Sequence, residues 1–478
     1  MLKKIAILFL VTLICLGSMT SCFIVIDERT GEIKPPRTEA QTLAPAEKVP
    51  SLPDILEEWK KTAGEALDAA FDSVDLNGDT FTIVIAYGDT VTFKANQETS
   101  YVKAMKIQEE LIEEKFNCKV IINRISYTTL VSDAQASMRA GLHYADVVCF
   151  PQSGLGYLKQ HKLIAELKGL YGEALDDPLF DTAAKNTASA KNGVYALGGS
   201  ACIDPGAYGC VYLNKELSDK YGFTQEILDL VAKGGWTVDA MLSYKEKLTD
   251  DPEAVAVTAK SDSVLINSLF GASGLKYMTS DPAGVPALAD NGAAVDGLTA
   301  TLRTFISDPL KCTFSNDAVK VFEKDKALFL VDTLASSIKT KGSYVVLPLP
   351  KANAEQADYI CYTNGSAPLF GVLTTNNRAE YALDFIKALN ITGNIVRDAW
   401  AKDLLDYAFR EETSYGTVKN MFKTTGYDPA LMYSDMYPSI KAATMDALKS
   451  AALSEQPYSF YSNQQFWNVS RDIGFLFP

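Results

Sequence analysis

Two histidines, His143 and His161, are all that 478 residues contain. A histidine-rich metal site is thereby excluded. No CxxC pair occurs, which removes the usual thiolate zinc and dithiol redox motifs. There is no GxxxxGK[ST] phosphate loop, no GxSxG elbow and no HExxH helix, so three common catalytic frameworks are missing. Excess positive charge is also missing. Lys and Arg number 45 against 59 Asp and Glu, a formal net charge of -14. Sequence-independent nucleic-acid binding needs a basic face, and so does adhesion to anionic lipid; neither is expected of the body of this chain. No second apolar run of membrane-spanning length follows residue 22, and no strong internal repeat is visible. Asp75-Leu76-Asn77-Gly78-Asp79 has the look of a calcium loop, but Gly78 is misplaced and Ala86 stands where the bidentate Glu belongs, so a turn is expected.

What is present begins at the amino terminus. Lys3 and Lys4 precede an apolar stretch from Ile5 to Leu16, then Met19-Thr20-Ser21-Cys22. A charged start, a short apolar run and a small residue at a cleavage point compose a secretory signal, here residues 1–21. The small residue before Cys22 resembles the lipobox of bacterial lipoproteins, with Met19 where Leu is usual. That resemblance implies a lipidated Cys22 as the mature amino terminus. Residues 22–53 carry Pro35, Pro36, Pro45, Pro50 and Pro53 among charged and small residues, without apolar periodicity. Such a stretch cannot bury enough surface to offset chain entropy, and as a coil it spans about 30 Å, the reach of a tether.

The remaining length is too great for one ordinary core, so two domains are expected. Helical spacing runs from Ser51 to Phe71, with Ile55, Trp59, Ala63, Ala66 and Ala70 on one side. Then strand-like and helix-like segments alternate: Phe81–Tyr87, Tyr101–Phe116, Val120–Ile122, Thr128–Gly141 and Ala145–Phe150. This order predicts an open, mostly parallel sheet covered by helices, with ligands beyond the carboxyl ends of its strands. Further on, Cys210–Asn214 reads as a strand, Thr237 caps a helix to Leu248, Ala318–Leu330 reads as helix and Ser343–Pro350 as strand. Of eight cysteines, six remain once Cys15 and Cys22 are set aside: Cys118, Cys149, Cys202, Cys210, Cys312 and Cys361. Apolar flanks favour buried free thiols; a Cys202–Cys210 bridge stays open.

Several phrases in fixed order then carry a resemblance. They are Asp146-Val-Val-Cys-Phe-Pro with Leu158-Lys-Gln-His-Lys-Leu-Ile-Ala-Glu-Leu, Asn192-Gly-Val-Tyr-Ala-Leu, Val211-Tyr-Leu-Asn-Lys-Glu-Leu, Gly235-Trp-Thr-Val-Asp-Ala-Met-Leu, Phe322-Glu-Lys-Asp-Lys-Ala-Leu-Phe and Val346-Leu-Pro-Leu-Pro-Lys. From about Thr80 to Asn390 the chain resembles the family 1 extracellular solute-binding proteins of ABC importers, many of which bind sugars. Asp325 stands where that family usually has glycine, and no proline follows Leu197. The resemblance implies an α/β, two-lobe, periplasmic-binding-protein-like fold of type II. Each lobe would be a mainly parallel sheet flanked by helices, with a cleft between the lobes. The lobes would take residues 54–205 plus 333–375 and 206–332 plus 376–478. Crossings would fall near Ser200–Tyr208, Phe329–Leu334 and Leu373–Arg378.

It further implies capture of a small solute, a carbohydrate or oligosaccharide, by cleft closure, and delivery to membrane permease subunits by a monomer that needs no cofactor and no metal. Flat aromatic faces and planar polar groups suit a sugar. By position the candidates are Tyr87 and Gln152 at strand ends, Asp204 and Tyr208 on the first crossing, Asp332 on the second, Tyr362 and Asn364 before the third, and Trp467 in the tail. Core packing competes for each aromatic, and a turn or cap for each Asp. Trp236 is assigned to structure. Two other functions compete: a secreted hydrolase working with two carboxylates, and a surface sensor on the same scaffold.

Overall fold

The computed structural model describes residues 25–26, 33–34, 52–72, 74–87, 99–191, 193–201, 203–409 and 412–478. The proposed signal and the anchor Cys22 lie outside these residues, as does Cys202. Of the tether, Val25–Ile26, paired antiparallel with Ile33–Lys34, is described, and its last two residues, Leu52 and Pro53, already belong to the first helix of the body. The body, 52–478, forms a separate unit.

The body opens with helix α1, Leu52–Ala70. Its inward face is Trp59, Ala63 and Leu67; Ala66 and Ala70 are exposed, a rotation from the face expected. After the Asn77–Gly78 turn, both residues at positive φ, come β1 (Thr80–Ile85), α2 (Ser100–Phe116), β2 (Lys119–Arg124), α3 (Tyr127–Ala140) and β3 (Val147–Pro151). The helix ends follow from local chemistry. The Thr99 hydroxyl accepts from Val102 N–H and that of Ser126 from Thr129 N–H; Asn117 and Gly141 close the two helices in left-handed conformation. β1 pairs in parallel with both β2 and β3. A short helix α4, Leu155–Gln160, leaves β3, and α5, Thr182–Thr187, follows.

The chain then builds a second sheet from β4 (Gly209–Asn214), β5 (Val255–Ala259), β6 (Cys312–Phe314), β7 (Ala327–Thr333) and β8 (Tyr344–Leu347), in spatial order β6-β5-β7-β4-β8. Helix α6, Asp262–Ala272, follows β5. β5 runs parallel to β6 and β7, whereas β4 is antiparallel to β7 and β8. The sheet is therefore mixed rather than mainly parallel. β4, β5 and β8 are buried residue by residue, as expected of strands covered on both faces. Here one sequence expectation fails. Ala318–Leu330 is not one helix: the helix stops at Glu323, and Ala327 begins the central strand. Asp325 at φ 56° turns the chain, and Asn214 Nδ2 donates to its carboxylate at 2.8 Å. An aspartate is thus held in the backbone region for which the family's glycine is suited.

β9 (Pro368–Gly371) returns to the first sheet, antiparallel to β3, giving the order β9-β3-β1-β2. Helix α7, Ala379–Leu404, then lies along α2. Phe385 of α7 stacks on Phe81 at 3.4 Å between ring centroids and on Phe116 at 4.6 Å. The buried Asp403 carboxylate accepts the N–H groups of Ser100 and Tyr101, both at 2.9 Å, and so caps α2 from 300 residues downstream. These contacts correct the expected boundaries. β8 keeps the chain in the second lobe beyond residue 333, because it pairs with β4. Residues 379–404 belong with the first lobe, because α7 packs on α2. The tail divides further. Helix α8, Glu412–Met421, lies against β8; α9, Pro429–Tyr433, against α4; and α10, Met445–Ala452, against α6. The final helix α11, Phe466–Leu476, sends Phe477 to the rings of Tyr195 and Tyr433.

Among the described residues no helix is long and apolar enough to cross a membrane. Cys149, Cys210, Cys312 and Cys361 are buried free thiols, and Cys118 is half-buried and free. Trp236 is fully buried and donates from Nε1 to the Pro348 carbonyl at 3.0 Å, and Thr237 caps the helix that follows.

Candidate functional site

Between the two sheets three stretches of chain lie side by side. The N–H of Leu334 donates to Tyr208 C=O at 2.9 Å, Ala335 N–H to Pro205 C=O at 3.1 Å, and Asn364 N–H to Ala207 C=O at 3.2 Å. Tyr208 and Thr363 form an antiparallel bridge, and Cys361–Tyr362 pairs in parallel with Thr425–Gly426. Residues 204–208, 361–366 and 425–426 thus form a narrow ribbon of backbone joining the lobes, with 334–335 fastened to its edge. The second crossing, which returns the chain to the first lobe, lies at 348–367, not near Phe329–Leu334. The third crossing comes after α7, not near Leu373–Arg378.

The first crossing is clamped by α7. Asn390 Oδ1 accepts the Ala201 N–H at 3.2 Å, its carbonyl accepts the Ser200 hydroxyl, and Arg397 donates to the Gly199 carbonyl at 2.7 Å. Gly393 lies against the same stretch: a Cβ there would come within 2.5 Å of Ala201 N.

Four of the eight candidate contacts, Asp204, Tyr208, Tyr362 and Asn364, lie on this ribbon, and Gln152 and Asp332 flank it. Gln152, fully buried at the end of β3, donates from Nε2 to Thr363 Oγ1 at 3.1 Å. Asp204 is buried and its Oδ1 accepts Gly206 N–H at 2.9 Å, a turn role. Tyr208 is buried with its ring edge-on to Phe422. The Asp332 carboxylate accepts from Thr333 N–H and from the Ser336 hydroxyl, both at 2.8 Å. The exposed Asn364 donates to the Gly206 carbonyl at 2.7 Å. Tyr362 sits in the core, its ring filling the space above Gly271, where a Cβ would meet it at 1.9 Å. Gln152 and Asn364 bond from one segment to another, whereas Asp204 and Asp332 accept within their own turns. The remaining two are open to solvent. Tyr87 is half-buried just past the end of β1. Trp467, at the start of α11, is 81% exposed.

Sequence reasoning missed the residues on the other flank of the ribbon. Asp428 is buried; its carboxylate accepts Tyr277 N–H at 2.7 Å, Ala430 N–H at 2.9 Å and Met278 N–H at 3.3 Å, tying α9 to the second lobe. Burial pushes this carboxyl up to about 6 against the pull of those hydrogen bonds. The signal available was Asp-Pro at 428–429, a helix start with Pro at its first position. The native state holds the Asp428 proton more tightly than the unfolded chain does. Its stabilising share is therefore complete below about pH 4 and lost as pH rises through 6. Relative to Asp428→Asn, the wild type is expected to lose roughly 2 kcal/mol of stability between pH 4 and 7. Parallel denaturant titrations of the two proteins check it; curves that stay parallel would refute the assignment.

Two lobes, each with an open sheet of its own and bridged by several chain crossings, have the architecture of a hinged binding protein. The comparisons agree: the chain belongs to the family described as bacterial extracellular solute-binding protein, whose model matches residues 95–394. No curated protein matches the sequence. Solved structures share the fold at low identity. One is the galacto-N-biose/lacto-N-biose I-binding protein of the ABC transporter from Bifidobacterium longum, in complex with lacto-N-biose: TM-score 0.57, 12% identity, 84% of this chain and 98% of that one. Another is the sugar-binding protein of Xanthomonas citri, with TM-score 0.56, 9% identity, and coverage of 83% and 97%. A third is an ABC substrate-binding protein from Listeria monocytogenes in complex with cycloalternan, with TM-score 0.51, 13% identity, and coverage of 84% and 100%.

Proposed function

We propose that this protein captures a carbohydrate, an oligosaccharide above all, between its lobes and passes it unaltered to the permease subunits of an ABC importer. The ribbon of crossings carries the reading, because a hinge between two lobes that each have their own sheet permits closure on a solute. Closure is driven only by the ligand's higher affinity for the closed form. Within this proposal Tyr87 and Trp467, the two accessible aromatics among the sequence candidates, keep the role of ligand contacts. Gln152, Asp204, Tyr208, Asp332, Tyr362 and Asn364 act by setting the hinge. The competing hydrolase reading has no support in the family or in the neighbours, which are binding proteins.

The test is a thermal-shift screen of purified body against neutral oligosaccharides, followed by chromatography of the sugar. A cognate glycan at a hundred times its Kd is expected to add about 2.7 kcal/mol and to be recovered intact. Products in the chromatogram would replace the importer reading with the hydrolase one. The anchor is proposed from Cys22 alone. Cys22→Ala is expected to move the protein from the membrane fraction to the medium, and retention on the membrane would refute it.

A further inference from the structure

Behind the ribbon lies a cavity of about 540 Å³. None of its lining residues stands at the carboxyl end of a strand in either large sheet. Its walls come from both lobes: Asn186 and Thr187 on α5 of the first, Lys276 and Ser280 beyond α6 of the second, with Asp358 and Lys423 at the crossings. The volume lies in the range of small-molecule sites, about 300–1,000 Å³. The charges are arranged for a ligand. Lys276 is drawn into the protein, where its ammonium donates to the Tyr427 carbonyl at 2.6 Å. Burial holds its affinity for a proton below that of an ordinary lysine. Lys423 is exposed, and its ammonium has no hydrogen-bond or ion-pair partner among the described residues. The Asp358 carboxylate is likewise unpartnered among them. Lys423 also lines two adjoining cavities of about 450 and 510 Å³, so it stands where three hollows meet.

In a chain of net charge -14, two ammonium groups reach this one cavity; Lys276 has the buried Asp428 carboxylate near it, whereas Lys423 and Asp358 are open and unpaired among the described residues. We propose that this cavity is a second ligand site, distinct from the space between the sheets, and that it takes a small polyhydroxylated anion, a sugar acid or a sugar phosphate. The anionic group lies between Lys276 and Lys423. Ring hydroxyls donate to the Asp358 carboxylate and meet the Asn186 amide and the Ser280 hydroxyl. Lys presents a rotatable point charge that suits carboxylate and phosphate alike, so both anion types share the site.

The experiment is calorimetric titration of the full body with D-glucuronate, glucose 6-phosphate, glucose and inorganic phosphate. Both sugar anions are expected to bind saturably. Glucose and inorganic phosphate are expected to bind at least tenfold more weakly than either. Lys423→Glu, on an exposed side chain, is expected to weaken both sugar anions at least tenfold, with Lys423→Arg restoring most of the affinity. No saturable binding of either sugar anion, or binding unchanged in Lys423→Glu, would overturn the site. Inorganic phosphate binding as tightly as glucose 6-phosphate would overturn the polyol part. Lys423→Glu leaves the response to a neutral oligosaccharide in place, so this site and the importer reading fail or survive separately.

Discussion

Gly393→Ala is expected to lower unfolding stability by several kcal/mol, and Gly393→Val by more. The added Cβ of alanine would stand 2.5 Å from Ala201 N, 2.6 Å from its Cα and 2.7 Å from the Ser200 carbonyl carbon. These are backbone atoms, so no side chain can swing aside; either α7 or the first crossing must shift. Overpacking of a well-filled core costs roughly 1–3 kcal/mol. Here the displaced strand also carries the Ser200 and Ala201 hydrogen bonds to Asn390, and each loses about 0.5–1.5 kcal/mol if its geometry is spoiled. Alanine's better helix propensity returns about 1 kcal/mol, too little to offset this. Denaturant melts of the two variants check the ranking. A Gly393→Ala protein as stable as wild type would show that α7 and the crossing do not touch as described.

The second large effect is expected at Asp403. Asp403→Ala removes the acceptor for two N–H groups in the first turn of α2 and leaves both buried. Each unsatisfied donor costs about 1–3 kcal/mol, so a loss of about 2–6 kcal/mol is expected. Asp403→Asn keeps one acceptor oxygen and is expected to cost about half as much. Hydrogen exchange offers a local readout. Amides at the start of α2 should lose protection in Asp403→Ala before those of the second sheet do. Uniform loss across both lobes would show that the cap is not local.

Much of the first lobe was legible because its signals are short-ranged. Asn77-Gly78 and Gly141 mark a turn and a helix end where they stand, and the alternation of β1, α2, β2, α3 and β3 has clear periodicity. The second lobe was less legible where two periods meet: Ala327 to Val331 is apolar enough for either helix or strand, and the left-handed Asp325 decides it. The later lobe boundaries could not be read. Whether Tyr344–Leu347 joins one sheet or the other depends on its pairing with β4, more than 130 residues earlier in the chain. A candidate list built on crossings found the hinge. It did not separate side chains that hold the ribbon, such as Gln152 and Asp204, from those that reach solvent, such as Tyr87 and Trp467. Lys423 and Asp358 carry no sequence motif; only the fold brings them to one cavity.

The first sheet takes its edge strand from Pro368–Gly371, and its longest covering helix ends at Leu404. A nascent chain that has delivered only the first two hundred residues therefore lacks a quarter of that sheet's strands, the ring of Phe385 and the cap on α2. Its amino-terminal half has no finished core to collapse into, whereas β4 to β8 arrive as one uninterrupted stretch. A polypeptide threaded through an export channel amino end first would stay pliable until nearly all of it had passed, and the lobe begun first would be the last to set.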